Sequence, residues 1–186
     1  PADKPLLLSV WGSLGSGHIN AMMPAFAALC CERREFTLLH SAGRRGYAQL
    51  TERMAERGLA DAADRGAEIC EYIYDMGTAM TAADLVMCRS GAATLSELQL
   101  LGKPALLVPS PNVTNHQQER NAEALAASGA ARVLREGEFD AAGLYEAAAA
   151  LLRDRETLEK MALDMRDGGV PDAAERIASL ILGFVK

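Results

Sequence analysis

Three short stretches of this chain combine turns and side chains suited to a phosphorylated, hydroxyl-bearing guest. The first is Cys88-Arg89-Ser90-Gly91-Ala92-Ala93-Thr94-Leu95-Ser96-Glu97, which follows the apolar run Leu85-Val86-Met87 and opens an apolar helical pattern. A strand, a tight glycine turn and a helix start, in that order, aim backbone N–H groups and a positive helix end at whatever lies above the strand. Glu97, one to two turns into the helix, can reach back to the same guest with a carboxylate. A glutamate there is also what an exposed helix residue, or first-turn charge complementing the dipole, would look like.

The second stretch, Gly12 to Gly17, reads G-x-x-G-x-G. That is not the G-x-G-x-x-G dinucleotide fingerprint, and it lacks the Gly-Lys-Ser/Thr of a phosphate-binding P-loop. The second strand ends His40-Ser41-Ala42-Gly43, without the acidic residue that would hold a dinucleotide ribose. NAD binding is therefore disfavoured. What remains is either a plain tight turn or a loop whose Ser13 and Ser16 hydroxyls, at a helix start, suit a diphosphate. The third stretch, His116-Gln117-Gln118-Glu119-Arg120-Asn121, is a polar helix start in which Gln117 and Gln118 offer paired donors and acceptors of the type that read sugar hydroxyls. His18 and His116 fall at helix starts, where a neutral positioning role is at least as good a reading as acid/base work. His40 reads as structural and Arg44-Arg45 as a solvated pair. The three histidines and four cysteines form no metal-ligand spacing.

These stretches need a frame, and the rest of the chain supplies it. A nearly continuous apolar run marks a strand at Pro5 to Trp11, and further strands are read at Phe36 to His40, at Glu68 to Tyr74 from its β-branched and aromatic character, and at Leu85 to Arg89, Pro104 to Val108 and Ala131 to Leu134. Helical periodicity covers His18 to Arg34, where Pro24 should bend the helix, and Arg44 to Arg57. A short helix starts at Asp75-Met76-Gly77, and others span Thr94 to Leu101 and His116 to Ala127. Phe139 to Met165 and Asp172 to Val185 close the chain, broken by Gly168-Gly169-Val170-Pro171. Strands alternating with helices predict an α/β fold, a doubly wound parallel six-stranded sheet with helices on both faces. Functional loops should then gather beyond the carboxyl ends of the strands.

With 186 residues, 49% hydrophobic and 24% charged, one domain of ordinary size is expected. A net charge of −6 argues against a nucleic-acid or anionic-membrane surface, so phosphate binding must use backbone amides and a few placed residues. Cys30, Cys31, Cys70 and Cys88 sit in apolar contexts without C-x-x-C spacing, as expected of reduced thiols in a cytosolic protein. No run reaches the length of a transmembrane span. Residues 1–4 read as a linker and 5–186 as the domain, which suggests a piece of a longer protein.

Gly12-Ser13-Leu14-Gly15, Tyr72-Ile73-Tyr74-Asp75-Met76, Arg89 to Glu97, His116 to Ala122 and the late Val170 to Ala178 segment together resemble the MurG family. These bacterial glycosyltransferases add N-acetylglucosamine to the lipid-linked muramyl pentapeptide of peptidoglycan synthesis. The resemblance covers nearly the whole chain but only the C-terminal, donor-binding half of a two-domain GT-B enzyme. It implies that UDP-N-acetylglucosamine is the donor, that no cofactor or metal is needed, and that Ser13 meets the diphosphate. It further implies that the Ile73 backbone pairs with the uracil edge beside Met76. Ala92, Ala93, Thr94, Leu95 and Ser96 would wrap phosphates and ribose, Glu97 would hold the ribose hydroxyls, and Gln117, Gln118 and Asn121 would lie at the sugar. The N-terminal acceptor domain, with the lipid-linked acceptor site, the membrane-docking patch and the base, would lie outside this chain, and no residue of this half would be the base. The full-length enzyme would be cytoplasmic and peripheral on the cell membrane, with no membrane insertion by this half. The loop departs from the commoner Gly-Gly-Ser-Gln-Gly by carrying Trp11 and Leu14. A diacylglycerol glycosyltransferase half, or a non-catalytic UDP-sugar module of a split enzyme, would share the nucleotide contacts.

Overall fold

The computed structural model describes residues 4–184. Six strands, β1 (Leu6–Val10), β2 (Thr37–Ser41), β3 (Ala67–Cys70), β4 (Leu85–Cys88), β5 (Ala105–Leu107) and β6 (Ala131–Val133), form one parallel sheet in the order β3-β2-β1-β4-β5-β6. Eight helices alternate with or follow them: α1 (Gly17–Arg33), α2 (Tyr47–Glu56), α3 (Met76–Ala82), α4 (Ala92–Leu101), α5 (Gln117–Ala127), α6 (Ala141–Arg153), α7 (Arg155–Asp167) and α8 (Ala173–Phe184). The expected α/β, doubly wound parallel architecture is present.

The sheet is apolar on both faces because helices cover both, and its strands divide their residues by a period of two. Leu7, Trp11, Leu38, Leu85, Met87 and Leu106 join one core with α1, α2 and α6. Leu8, Val10, Val86, Cys88, Ala105 and Leu107 join the other with α3, α4 and α5. In the first core Tyr145 stacks on Phe36 at 5.0 Å between centroids and meets Phe26 edge-on at 5.5 Å. Its hydroxyl donates to Glu35 Oε1 at 3.4 Å, so one side chain fastens α6 to α1 and to the entry of β2.

Three expectations need correction or completion. The third strand ends at Cys70, not Tyr74, since the chain leaves the sheet there to reach α3, whose first turn is capped by Asp75 accepting from Thr78 N at 3.0 Å. The run from Phe139 to Met165 is two helices, because Asp154 ends α6 and caps α7 through Thr157 N at 3.0 Å and Thr157 Oγ1 at 2.7 Å. α1 runs continuously through Pro24, which is buried. Of the segment read as a linker, residues 1–3 lie outside the described residues, while Lys4 donates to the Arg34 carbonyl at 2.5 Å. Val185, expected at the end of the last helix, also lies outside them.

α8 has no buried residue, and Ile177, Leu180, Ile181 and Phe184 form an exposed apolar stripe at helical spacing. Among the described residues no helix is long and apolar enough to cross a membrane.

The aromatic knot gives a direct stability expectation. Phe26→Ala should cost about 3–5 kcal/mol in urea unfolding, since it removes a fully buried ring that two others pack against. A loss below about 1 kcal/mol would show that this contact does not hold α6 to α1.

Candidate functional site

β1 and β4 are neighbours, but the chain leaves β1 toward β2 and leaves β4 toward β5. The two following loops therefore diverge and open a crevice at the carboxyl edge of the sheet. A cavity of about 420 Å³ lies there, lined by Trp11, Gly15 to His18, Arg89, Ser110, Asn112, Gln118 and Glu136.

Arg89 occupies the centre. Its Nη1 donates to the carbonyls of Val108 at 3.0 Å and Pro109 at 3.2 Å and to Glu136 Oε2 at 2.5 Å, and its Nη2 donates to Ser16 Oγ at 3.0 Å. The guanidinium also lies 5.5 Å from the centre of the Trp11 ring. A planar, permanently charged fork suits such many-sided bonding, and the mostly buried Glu136 neutralises it. Arg89 is thus a strut joining the loops after β1, β4, β5 and β6, with both of its terminal nitrogens engaged. Glu136, which also lies 3.8 Å from His18 Nδ1, was not singled out from the sequence. Its position just beyond the sixth strand was the one available signal.

The two helix starts at the crevice differ. α1 is capped by Ser16, whose hydroxyl accepts from Ile19 N at 3.5 Å besides its bond from Arg89. Ser16 is buried, but its oxygen accepts in both of these bonds, so its O–H remains available to donate into the cavity it lines. Ser13 is exposed, and its side chain makes no hydrogen bond among the described residues. Gly15, at φ +75°, packs so tightly on the Ala42 carbonyl that a Cβ would collide with it. α4, by contrast, begins at Gly91 without any side-chain cap. The amides of Ala92, Ala93 and Thr94 therefore start the helix unspent, whereas Leu95 N already bonds to the Gly91 carbonyl at 3.0 Å. Leu95 is buried in the core, and the Ser96 hydroxyl donates back to the Ala92 carbonyl at 3.0 Å. Glu97 is exposed on the same helix.

α3 packs against α4, which brings the loop after β3 to the same side. Because β3 stops early, the Ile73 peptide groups make no hydrogen bond among the described residues and remain free to pair with a planar edge. Ile73 and Met76 are half-buried against the second core, and Tyr74, 87% exposed, stands edge-on to Tyr72. Of the residues expected at the site, Gln118 lines the central cavity, whereas Ser13, Ile73, Met76, Ala92 to Glu97, Gln117 and Asn121 do not.

On α5, Gln117 is exposed, while Gln118 accepts from Ser110 N through Oε1 at 2.9 Å and lines the cavity. The Ser90 hydroxyl donates to the Gln118 carbonyl at 2.7 Å, and Asn121 Nδ2 donates to the Ser90 carbonyl at 3.1 Å. Asn121 thereby holds the β4–α4 turn. His116 and Asn115 adopt left-handed backbone ahead of α5, and His116 pairs with Glu119 at 3.0 Å. Cys88, at the crevice floor, is no nucleophile, since burial pushes its thiol up to about 12.

The profile of the glycosyltransferase family 28 C-terminal domain matches residues 7–177. The chain is 38% identical over 186 residues to the UDP-N-acetylglucosamine--N-acetylmuramyl-(pentapeptide) pyrophosphoryl-undecaprenol N-acetylglucosamine transferase of Acetivibrio thermocellus, covering all of this chain and 49% of that protein. It is 40% identical over 184 residues to the protein of the same name from Salinibacter ruber, covering 99% of this chain and 48% of that one. The chain thus spans about half the length of the curated relatives it matches. The crystal structure of Acinetobacter baumannii MurG superimposes with a TM-score of 0.82 at 27% identity, covering 98% of this chain and 53% of that one. The S. aureus MnaA–UDP co-structure shares the fold, with a TM-score of 0.71 at 18% identity over 98% of this chain and 47% of that one.

His40 is structural, as expected: it is fully buried and bonds to Ser9 and Asn20. Burial pushes its imidazole down from 6.5 to about 3, so the folded chain refuses a proton that the unfolded chain takes up. Stability should therefore fall as pH falls from 6.5 toward 3, and be independent of this group above 6.5. The slope from this one group approaches about 1.4 kcal/mol per pH unit. The measurement is the urea-unfolding free energy of wild type minus that of His40→Gln, followed from neutral to mildly acidic pH. A difference that stays constant would contradict a neutral, buried His40.

Proposed function

Since the chain belongs to the family of glycosyltransferase family 28 C-terminal domains, we propose that it is the donor-binding half of an inverting transferase that moves N-acetylglucosamine from UDP-N-acetylglucosamine to lipid-linked muramyl pentapeptide in peptidoglycan synthesis. What supports this reading is the uncapped start of α4 at the strand-order reversal, together with an exposed Ser13 after β1 and an Ile73 peptide that makes no hydrogen bond among the described residues. The Ala92, Ala93 and Thr94 amides and the Ser13 hydroxyl take the diphosphate, Glu97 the ribose hydroxyls, and the Ile73 peptide the uracil edge with Met76 beside it. Leu95 and Ser96 shape that turn from within the helix. Gln117 and Gln118 address the sugar, and Asn121 supports them through the Ser90 turn.

In the reaction, the acceptor hydroxyl attacks the anomeric carbon, the bond from that carbon to the diphosphate oxygen breaks, and UDP leaves. The hydroxyl proton passes to a base outside this half. Negative charge grows on the leaving diphosphate, where preorganised N–H donors and a helix start stabilise it without reorganising. On this reading no metal or other cofactor is required. The acceptor site, the base and the contact with the cytoplasmic face of the membrane belong to a preceding domain. The relatives' double length supports such a domain, and the exposed apolar stripe of α8 is a surface it would cover.

Calorimetric titration should show UDP and UDP-N-acetylglucosamine binding in preference to ADP, with no sugar transfer by this chain alone. Glu97→Ala, at an exposed position, should weaken UDP about tenfold, or about 1.4 kcal/mol, with the fold intact. Equal affinity for UDP and ADP in a folded sample would refute the donor reading, and an unchanged Glu97→Ala would refute its ribose role.

A further inference from the structure

Beneath the Gly12–Gly17 loop runs a chain of buried polar side chains that the reaction scheme above does not use. Trp11 Nε1 donates to Ser9 Oγ at 2.8 Å. Ser9 Oγ lies 2.8 Å from His40 Nδ1, His40 Nε2 lies 3.0 Å from Asn20 Oδ1, and Asn20 Nδ2 donates to the Ala42 carbonyl at 2.8 Å. Ser9 and His40 are fully buried, and Trp11 and Asn20 nearly so.

The two ends fix the direction of every bond between them. An indole N–H can only donate and a backbone carbonyl can only accept. With its amide nitrogen on Ala42, Asn20 turns its oxygen to His40, which must therefore carry its proton on Nε2. His40 Nδ1 is then an acceptor, and the Ser9 hydroxyl, already accepting from Trp11, donates to it. Each group has one arrangement, and a doubly protonated His40 would confront Ser9 with a second donor. Directional chains of this kind polarise and rigidify one another in a dry interior.

Both ends of the chain also touch the glycine loop. Trp11 immediately precedes it, donating to Ser9 and lying 5.5 Å from the Arg89 guanidinium. At the other end Gly15 rests on the same Ala42 carbonyl that Asn20 engages. We propose that Trp11, Ser9, His40 and Asn20 form a positioning relay that holds this loop at Trp11 and at Gly15, on either side of Ser13, and so presets Ser13 for the donor diphosphate. The proposal rests on the donor reading above, with His40 acting through the loop and touching no substrate.

Trp11 is the single tryptophan of the chain, so its emission reports the relay directly. The experiment measures Trp11 emission and UDP affinity in wild type, His40→Leu, His40→Gln and Trp11→Phe, with circular dichroism as the fold control. His40→Leu should weaken UDP about tenfold and shift Trp11 emission to the red, while His40→Gln, which keeps one donor and one acceptor, should restore both. Trp11→Phe, which removes the indole N–H and keeps an aromatic ring, should weaken UDP at least threefold. It decides the matter if His40→Leu does not fold. A folded His40→Leu with wild-type emission and affinity, or Trp11→Phe with wild-type affinity, would overturn the relay. Absence of UDP binding by wild type would instead refute the donor reading, and the emission of His40→Leu would still judge the relay.

Discussion

The site depends on one half-buried cation. Arg89 leaves the end of β4 and bonds to the ends of β5, to Glu136 beyond β6 and to Ser16 at the start of α1, while lying against Trp11. Four loops that the sheet merely brings near one another are thereby fixed at one distance. A charge in such a place is tolerated because both terminal nitrogens find acceptors and Glu136 supplies the opposite sign. Removing either partner would leave the other buried and unpaired, which costs far more than an exposed pair contributes.

With Arg89 paired to Glu136 and Ser16 capping α1, the helix start after β4 is the one of the two that has no side-chain cap. Gly91 offers no side-chain cap, so the first amides of α4 face outward with their helix dipole behind them. The early end of β3 likewise leaves a peptide, that of Ile73, outside the sheet and without a hydrogen bond among the described residues. Rigid support with a few deliberately open donors is the arrangement that stabilises charge developing on a leaving group. An overall charge of −6 makes the point sharper, as no general field attracts the anion and local geometry must do so.

Much of this was legible in the sequence because it rests on local patterns. The buried runs Leu6 to Val10 and Leu85 to Cys88, the turn at Gly91 and the stop at Gly102 each announce themselves over a few residues. Tyr72-Ile73-Tyr74 misled, since their β-forming side chains extend the strand pattern while Asp75 pulls the backbone into α3. Asp154 was missed because the residues on both sides are good helix formers, and only its cap on Thr157 separates two helices. The roles of Arg89 and Ser16 were not legible at all. Their bonds to each other and to Glu136 cross 73 and 47 positions of the chain, and residue type alone does not reveal whether a hydroxyl or guanidinium is already occupied.

The central claim is that the β1–β4 crevice and the open end of α4 form a UDP-sugar donor site. It is tested most directly by a crystal structure of this chain with UDP-N-acetylglucosamine. The expected result places the diphosphate against Ser13 and the Ala92 to Thr94 amides, the ribose on Glu97 and the uracil edge on the Ile73 peptide, with Arg89 unmoved. Nucleotide bound instead at the opposite edge of the sheet, in the 320 Å³ cavity lined by Pro5, Asp84, Lys103 and Pro104, would contradict it.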